Sequence, residues 1–186
     1  MPAPLKTKEE VIEQLTDVFR EHGYTGTTLS MLSEATGLVK ASLYHYFPRG
    51  KKDMGLAVLE QVGDRFLQEV IEPIDLDGNI SEQLELMSLH LIKFYKDGRV
   101  ACLLEVFSLG QARELFQDII KKRIERLTNV IASLLQKAGF DSEQSRQRAI
   151  DAIVQVEGAL VVARASGDRQ VFIDAMQVLP TQLLRM

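Results

Sequence analysis

The stretch GLVKASLYHYFPRGKKDM, residues 37–54, decides how this chain is read. It sets Tyr44, His45 and Tyr46 between Leu43 and Phe47, with Lys40 before them and Arg49, Lys51 and Lys52 after. Aromatic residues make up only 6% of the chain, so this density is local. Glycine at 37 and the Pro48–Gly50 turn bound a segment of roughly two helical turns. At 100° per residue, Leu43 and Phe47 share a face with Val39, and Tyr46 lies at its edge. Ala41, Tyr44 and His45 take the opposite face, flanked by Lys40 and Ser42. The short helix therefore has one apolar side for packing and one side of small, aromatic and basic groups for something else.

Charge distribution indicates what that something is. The chain carries a formal charge of −4, which on its face opposes binding to a polyanion. Residues 1–55, however, hold seven Lys/Arg and seven Asp/Glu, so the whole excess lies in 56–186. Positions 35–52 carry Lys40, Arg49, Lys51 and Lys52 with no acidic residue. A basic, aromatic surface confined to one short helix suits a phosphate backbone.

Working outward, nearly every segment reads as helix, and alternating strand patterns are absent. A first helix starts after Thr7, where Thr7 and Glu10 can form a capping box, and Gly23 ends it. Thr27 or Thr28 caps a short second helix that buries Leu29, Leu32 and Ala35, and Gly37 stops it. The third helix, about 40–46, follows after two or three residues. Two short helices across a tight glycine turn, braced by a preceding one, are the parts of a helix-turn-helix module. A fourth helix spans about 51–71, and IEPIDLDGN, residues 71–79, is a loop. Further helices are expected at about 81–96, 101–109, 111–137, 142–166 and 169–184. The fold class is all-α with about nine helices: a helix-turn-helix domain over 1–50 and a larger helical domain over 51–186.

In the groove-reading geometry, Lys40, Tyr44 and Lys51 hold phosphates while Ala41, Ser42 and His45 lie nearest the base edges. Arg49 and Lys52 extend the phosphate track. The helix AIDAIVQVEGALVVARASG, residues 149–167, is apolar around most of its circumference, which requires cover on every side. One side is expected against its own core and another against a second copy of the chain, with Ile153, Gly158, Ala159, Val162, Ala163 and Phe172 at that homodimer interface.

The segment TTLSMLSEATGLVKASLYHYFPRGKKDM, residues 27–54, resembles the N-terminal DNA-binding domain of the TetR family of transcriptional regulators. The likeness covers about residues 8–56. It includes the Thr27–Thr28 pair opening the second helix, Ala-x-Gly closing it, Lys40-x-x-Leu43-Tyr44-x-x-Phe47, and Gly50-Lys51 starting the fourth. The FPRGK form resembles a subgroup with Phe-Pro-x-Gly-Lys after the third helix. The resemblance implies DNA contacts from Thr27, Thr28 and Tyr46 as well as the residues above. It also implies a regulator, in most cases a repressor, dimeric on a palindromic operator and released by a small-molecule inducer. The family often has Ser or Thr where this chain has Val39; Ser there caps the helix and reaches a phosphate, and valine does neither.

An inducer pocket in the C-terminal helices is expected among Met87, His90, Phe94, Cys102, Glu105, Phe107, Phe116 and Glu157. Three histidines without ligand spacing, one cysteine and no nucleophile or phosphate-loop motif point away from an enzyme, a metal site or a cofactor. No apolar run reaches the ~20 residues of a membrane span, so the expected location is the cytoplasm. The competing reading is a helical small-molecule-binding protein with no DNA activity. It gives no reason for basic residues to gather at 40–52.

Overall fold

The computed structural model describes residues 6–75 and 78–185. Among them it contains nine α-helices and no strand: α1 Lys8–Gly26, α2 Leu29–Thr36, α3 Lys40–Tyr46, α4 Lys51–Phe66, α5 Ile80–Phe94, α6 Leu103–Phe107, α7 Gly110–Lys137, α8 Ser142–Ser166 and α9 Gln170–Leu184. A π-helical turn, Leu67–Ile71, continues α4. The all-α expectation holds, with each helix close to its expected span.

The chain divides into two compact units. The first takes the described residues up to Asp64 together with Leu103–Gln117, and the second takes Arg65–Cys102 and Asp118 onward. The expected boundary at 50/51 thus falls inside the first unit. The reason is packing: a Cβ at Gly55 of α4 would lie 2.8 Å from the Phe116 ring and 2.9 Å from that of Phe107. Phe19, Tyr24, Phe107 and Phe116 form an aromatic cluster with centroids 5.0–5.8 Å apart, so α6 and the first turns of α7 complete the core on which α1 rests.

Local chemistry builds the first unit. Thr7 and Glu10 form the expected capping box, the Thr7 hydroxyl accepting from Glu10 N–H and the Glu10 carboxylate from Thr7 N–H. Gly23 adopts φ 68°, but one further turn follows before α1 ends at Thr27. Thr28 caps α2, accepting from Met31 N–H at 3.3 Å. Leu32 is buried as expected, whereas Ala35 is exposed and Thr36 takes the inward position, its hydroxyl donating to Leu32 O at 2.7 Å.

In the second unit α9 packs on both α5 and α8. Phe172 of α9 is fully buried, in edge contact with Tyr95, and its Cβ leaves no room for a side chain at Gly98. Gln155 donates to Ala175 O at 3.2 Å and Arg148 to Leu183 O at 3.1 Å, fastening α8 to α9.

Candidate nucleic-acid interface

The third helix is anchored on one side and open on the other. Leu43 and Phe47 are buried, while Lys40, Ala41, Tyr44 and His45 are exposed and Ser42 is half-buried. Lys40 and Ala41, in the first turn, thus stand on the open side as expected, with Tyr44 and His45 one turn further on.

The second tyrosine of the pair divides differently. Tyr46 donates its hydroxyl to Lys6 O at 3.0 Å, and the Lys6 ammonium bonds the carbonyl of Thr36 and the side chain of Gln14. Tyr46 is therefore a strut that ties α3 to the chain ahead of α1 and to the end of α2. Tyr44 instead lies against Gly50, whose φ of 64° places the backbone where a Cβ would come within 3.1 Å of the ring. A side chain at 50 would displace the tyrosine. The glycine was legible in sequence; its role as the seat of Tyr44 was not, because that depends on the path of the 47–50 turn.

Two expected contact residues make hydrogen bonds inside the first unit. Thr27 is 1% exposed and its hydroxyl donates to Gly23 O at 2.6 Å, so it closes α1, while Thr28 stays exposed. Lys51 donates to Tyr24 O at 2.9 Å and Thr27 O at 2.8 Å, and burial lowers its pKa below the ordinary lysine value. The sequence reading set Lys51 on phosphate; in the structure it caps the carbonyls at the end of α1, which have no helical partners of their own. Arg49 remains exposed, with its guanidinium and backbone N–H both donating to Asp53. Those bonds, the backbone one first, hold the Asp53 carboxyl below its usual range.

Val39 overturns the helical-wheel placement. It is 67% exposed, not packed beside Leu43 and Phe47. As the N-cap it is extended (φ −68°, ψ 154°), so its Cβ direction does not follow the 100° step of the helix behind it.

The residues expected to line the inducer pocket divide between the two units. Phe107 and Phe116 are core of the first unit and fully buried, and Glu105 belongs to that unit too. Met87, Phe94 and Cys102 are buried in the second unit, Cys102 within 3.5 Å of the Tyr95 hydroxyl, whereas His90 and Glu157 are half-buried there. An open groove of about 430 Å³ along α7, at Lys122, Glu125, Arg126, Asn129, Val130 and Ser133, includes none of the eight.

The expected dimer residues also separate. Ala159, Ala163 and Phe172 are buried within the chain and Ile153 is half-buried; Val162 is 51% exposed, and Gly158 faces open space. Ile150, Val154 and Val161 join them as exposed apolar groups. On a helix, positions 150, 154, 158 and 161 fall within one 80° arc, opposite the inward alanines. The sequence showed an apolar circumference but not which half the chain covers by itself.

Comparison with known proteins completes the description. Residues 11–58 match "Bacterial regulatory proteins, tetR family", and residues 94–178 match "Transcriptional regulator LmrA/YxaF-like, C-terminal domain". The chain belongs to the TetR family. It is 20% identical to the HTH-type transcriptional regulator YxaF of Bacillus subtilis, over 88% of this chain and 87% of that one. A regulator encoded in the lacX 3′ region of Lactococcus lactis shares 27% over 94% and 92% of the two chains. Among solved structures, a TetR regulator from Legionella pneumophila superposes with a TM-score of 0.82 at 22% identity, covering 96% of this chain and 98% of that one. The family places the helix-turn-helix of this chain on DNA and the chain among transcriptional regulators. Among the described residues no group of side chains is set to hold a metal, and no helix is long and apolar enough to cross a membrane.

Proposed function

We propose that this TetR regulator is a repressor that binds a palindromic operator as a homodimer and leaves it when a small molecule binds. The observation that carries the DNA half is the open face of α3: Lys40, Ala41, Tyr44 and His45 stand exposed on a helix whose other face is locked by Leu43 and Phe47. In this reading Lys40 and Tyr44 contact phosphates, Thr28 supports them from the start of α2, and Ala41, Ser42 and His45 face base edges. Arg49, restrained by Asp53, extends the track.

Dimerisation follows from the open arc of α8. Ile150, Val154, Gly158 and Val161 form an apolar stripe with the exposed Val162 to one side, and Gly158 lets a second helix approach closely. Two reading heads set one helical turn of DNA apart require such a pairing. Repression is supported by relatives bearing that description, among them the repressor NemR of Escherichia coli, 28% identical over 70% of this chain and 66% of its own length. The inducer acts by favouring one of two dimer geometries, and its effect cannot exceed its difference in affinity for them.

Selection of duplexes from a random pool tests the reading. A single enriched palindrome with half-sites about 10 base pairs apart is expected, followed by release in a compound screen. Selection that enriches nothing, with binding no tighter than to random DNA, overturns it.

A further inference from the structure

Residues 6–64 leave just two large apolar side chains exposed among those described, Val39 and Tyr44, and both belong to the recognition segment. Tyr44 has a seat against Gly50. Val39 has none: it is 67% exposed, at the N-cap of α3, and makes no side-chain capping bond. The backbone caps instead, with Val39 O accepting from Ser42 N–H at 2.9 Å and Leu43 N–H at 3.1 Å. The turn before it is also fastened, since Gly37 takes the left-handed conformation and the Ser33 hydroxyl donates to Leu38 O at 2.5 Å. Val39 is thus an isolated apolar group on a fixed backbone, one residue before the exposed Lys40 and Ala41.

A recognition helix meets base edges with its N-terminal residues. Donors and acceptors on those edges give valine nothing to bond. The one apolar feature of the major groove is a methyl group at C5 of a pyrimidine, carried by thymine. An isolated valine is too small a patch to dock a protein, yet matches one methyl in size.

We infer that Val39 is a specificity-determining residue that packs on a pyrimidine C5-methyl in each operator half-site. The inference rests on the DNA-binding reading of α3 and goes beyond it by naming the group read and the residue that reads it.

The test uses the full chain and its selected operator, with thymines replaced one symmetric pair at a time by uracil, which lacks only the methyl. For the unaltered protein one pair should weaken binding about four-fold per half-site, the effect of losing one buried methyl. Val39→Ala should bind the thymine and uracil operators equally at that pair, with unchanged helix content and salt slope. A cytosine at the same position should gain when converted to 5-methylcytosine. If Val39→Ala weakens thymine and uracil operators by the same factor, or no uracil pair affects binding, the inference is overturned while the DNA reading stands. If no operator is selected at all, both fall.

Discussion

Lys51 lies 2.9 Å from the backbone carbonyl of Tyr24 and 4.6 Å from the centroid of its ring. One ammonium thus joins the start of α4 to the end of α1, by a charged hydrogen bond and a cation–π contact at once. Lys51→Met keeps the stem and removes the donors. It should cost about 1–3 kcal/mol in urea unfolding and leave the salt dependence of DNA binding almost unchanged. Lys40→Ala should do the reverse, reducing the slope of log K against log salt by about one with little change in stability. A slope that drops for Lys51→Met would restore the phosphate role.

Gly50 and Tyr44 give a second separation. Gly50→Ala imposes a left-handed conformation on an L-residue, costing about 1–2 kcal/mol, and pushes its methyl group into the tyrosine ring. Thermal melts should register the strain, and operator affinity should fall further than the lost stability alone accounts for. Unchanged affinity would remove Tyr44 from the contact set.

Asp53 confers acid sensitivity. The Arg49 backbone N–H and guanidinium that donate to it hold its carboxyl below the usual aspartate range in the folded chain. A depressed folded pKa contributes stability that is present above the unfolded value and lost as pH falls through the folded one. Unfolding followed from pH 5 to pH 2 should therefore show a shallower loss for Asp53→Asn. Parallel profiles would show that the Arg49 bonds do not survive in solution.

At Gly55 the expectation is overpacking. An alanine there meets Phe116 and Phe107 at 2.8 and 2.9 Å, both held in an aromatic cluster. The substitution should destabilise the first unit by about 1–3 kcal/mol, read by tyrosine fluorescence, since Tyr24 sits in the same cluster.

Sedimentation separates the two halves of the dimer expectation. Val154→Glu puts a charge in the open arc of α8 and should shift the chain toward monomer with its helix content intact. Phe172→Ala removes a fully buried ring and should instead cost about 3–5 kcal/mol of stability, the species that stay folded keeping their mass. A stable monomer from Phe172→Ala would reverse the assignment.

Helix content, order and limits were legible in the chain itself. Capping residues such as Thr7, Thr28, Asp141 and the glycines at 37 and 167 act within a few residues of where they stand. The buried side of α3 was equally plain, since Leu43 and Phe47 follow the helical period. The outward group was only partly readable. Tyr44 and Tyr46 are two residues apart and chemically alike, and only the approach of Lys6 and Gly50 makes one a strut and the other a free face. Val39 escaped the helical wheel because a cap residue does not obey helical geometry. The carbonyls of Tyr24 and Thr27 that accept from Lys51 were not legible beside it, because they lie 27 and 24 residues away. Local interactions between neighbours in the chain determine which segments become helices. Which face each helix hides, and which charge finds an internal partner, depends on contacts across long sequence separations that only the packed fold creates.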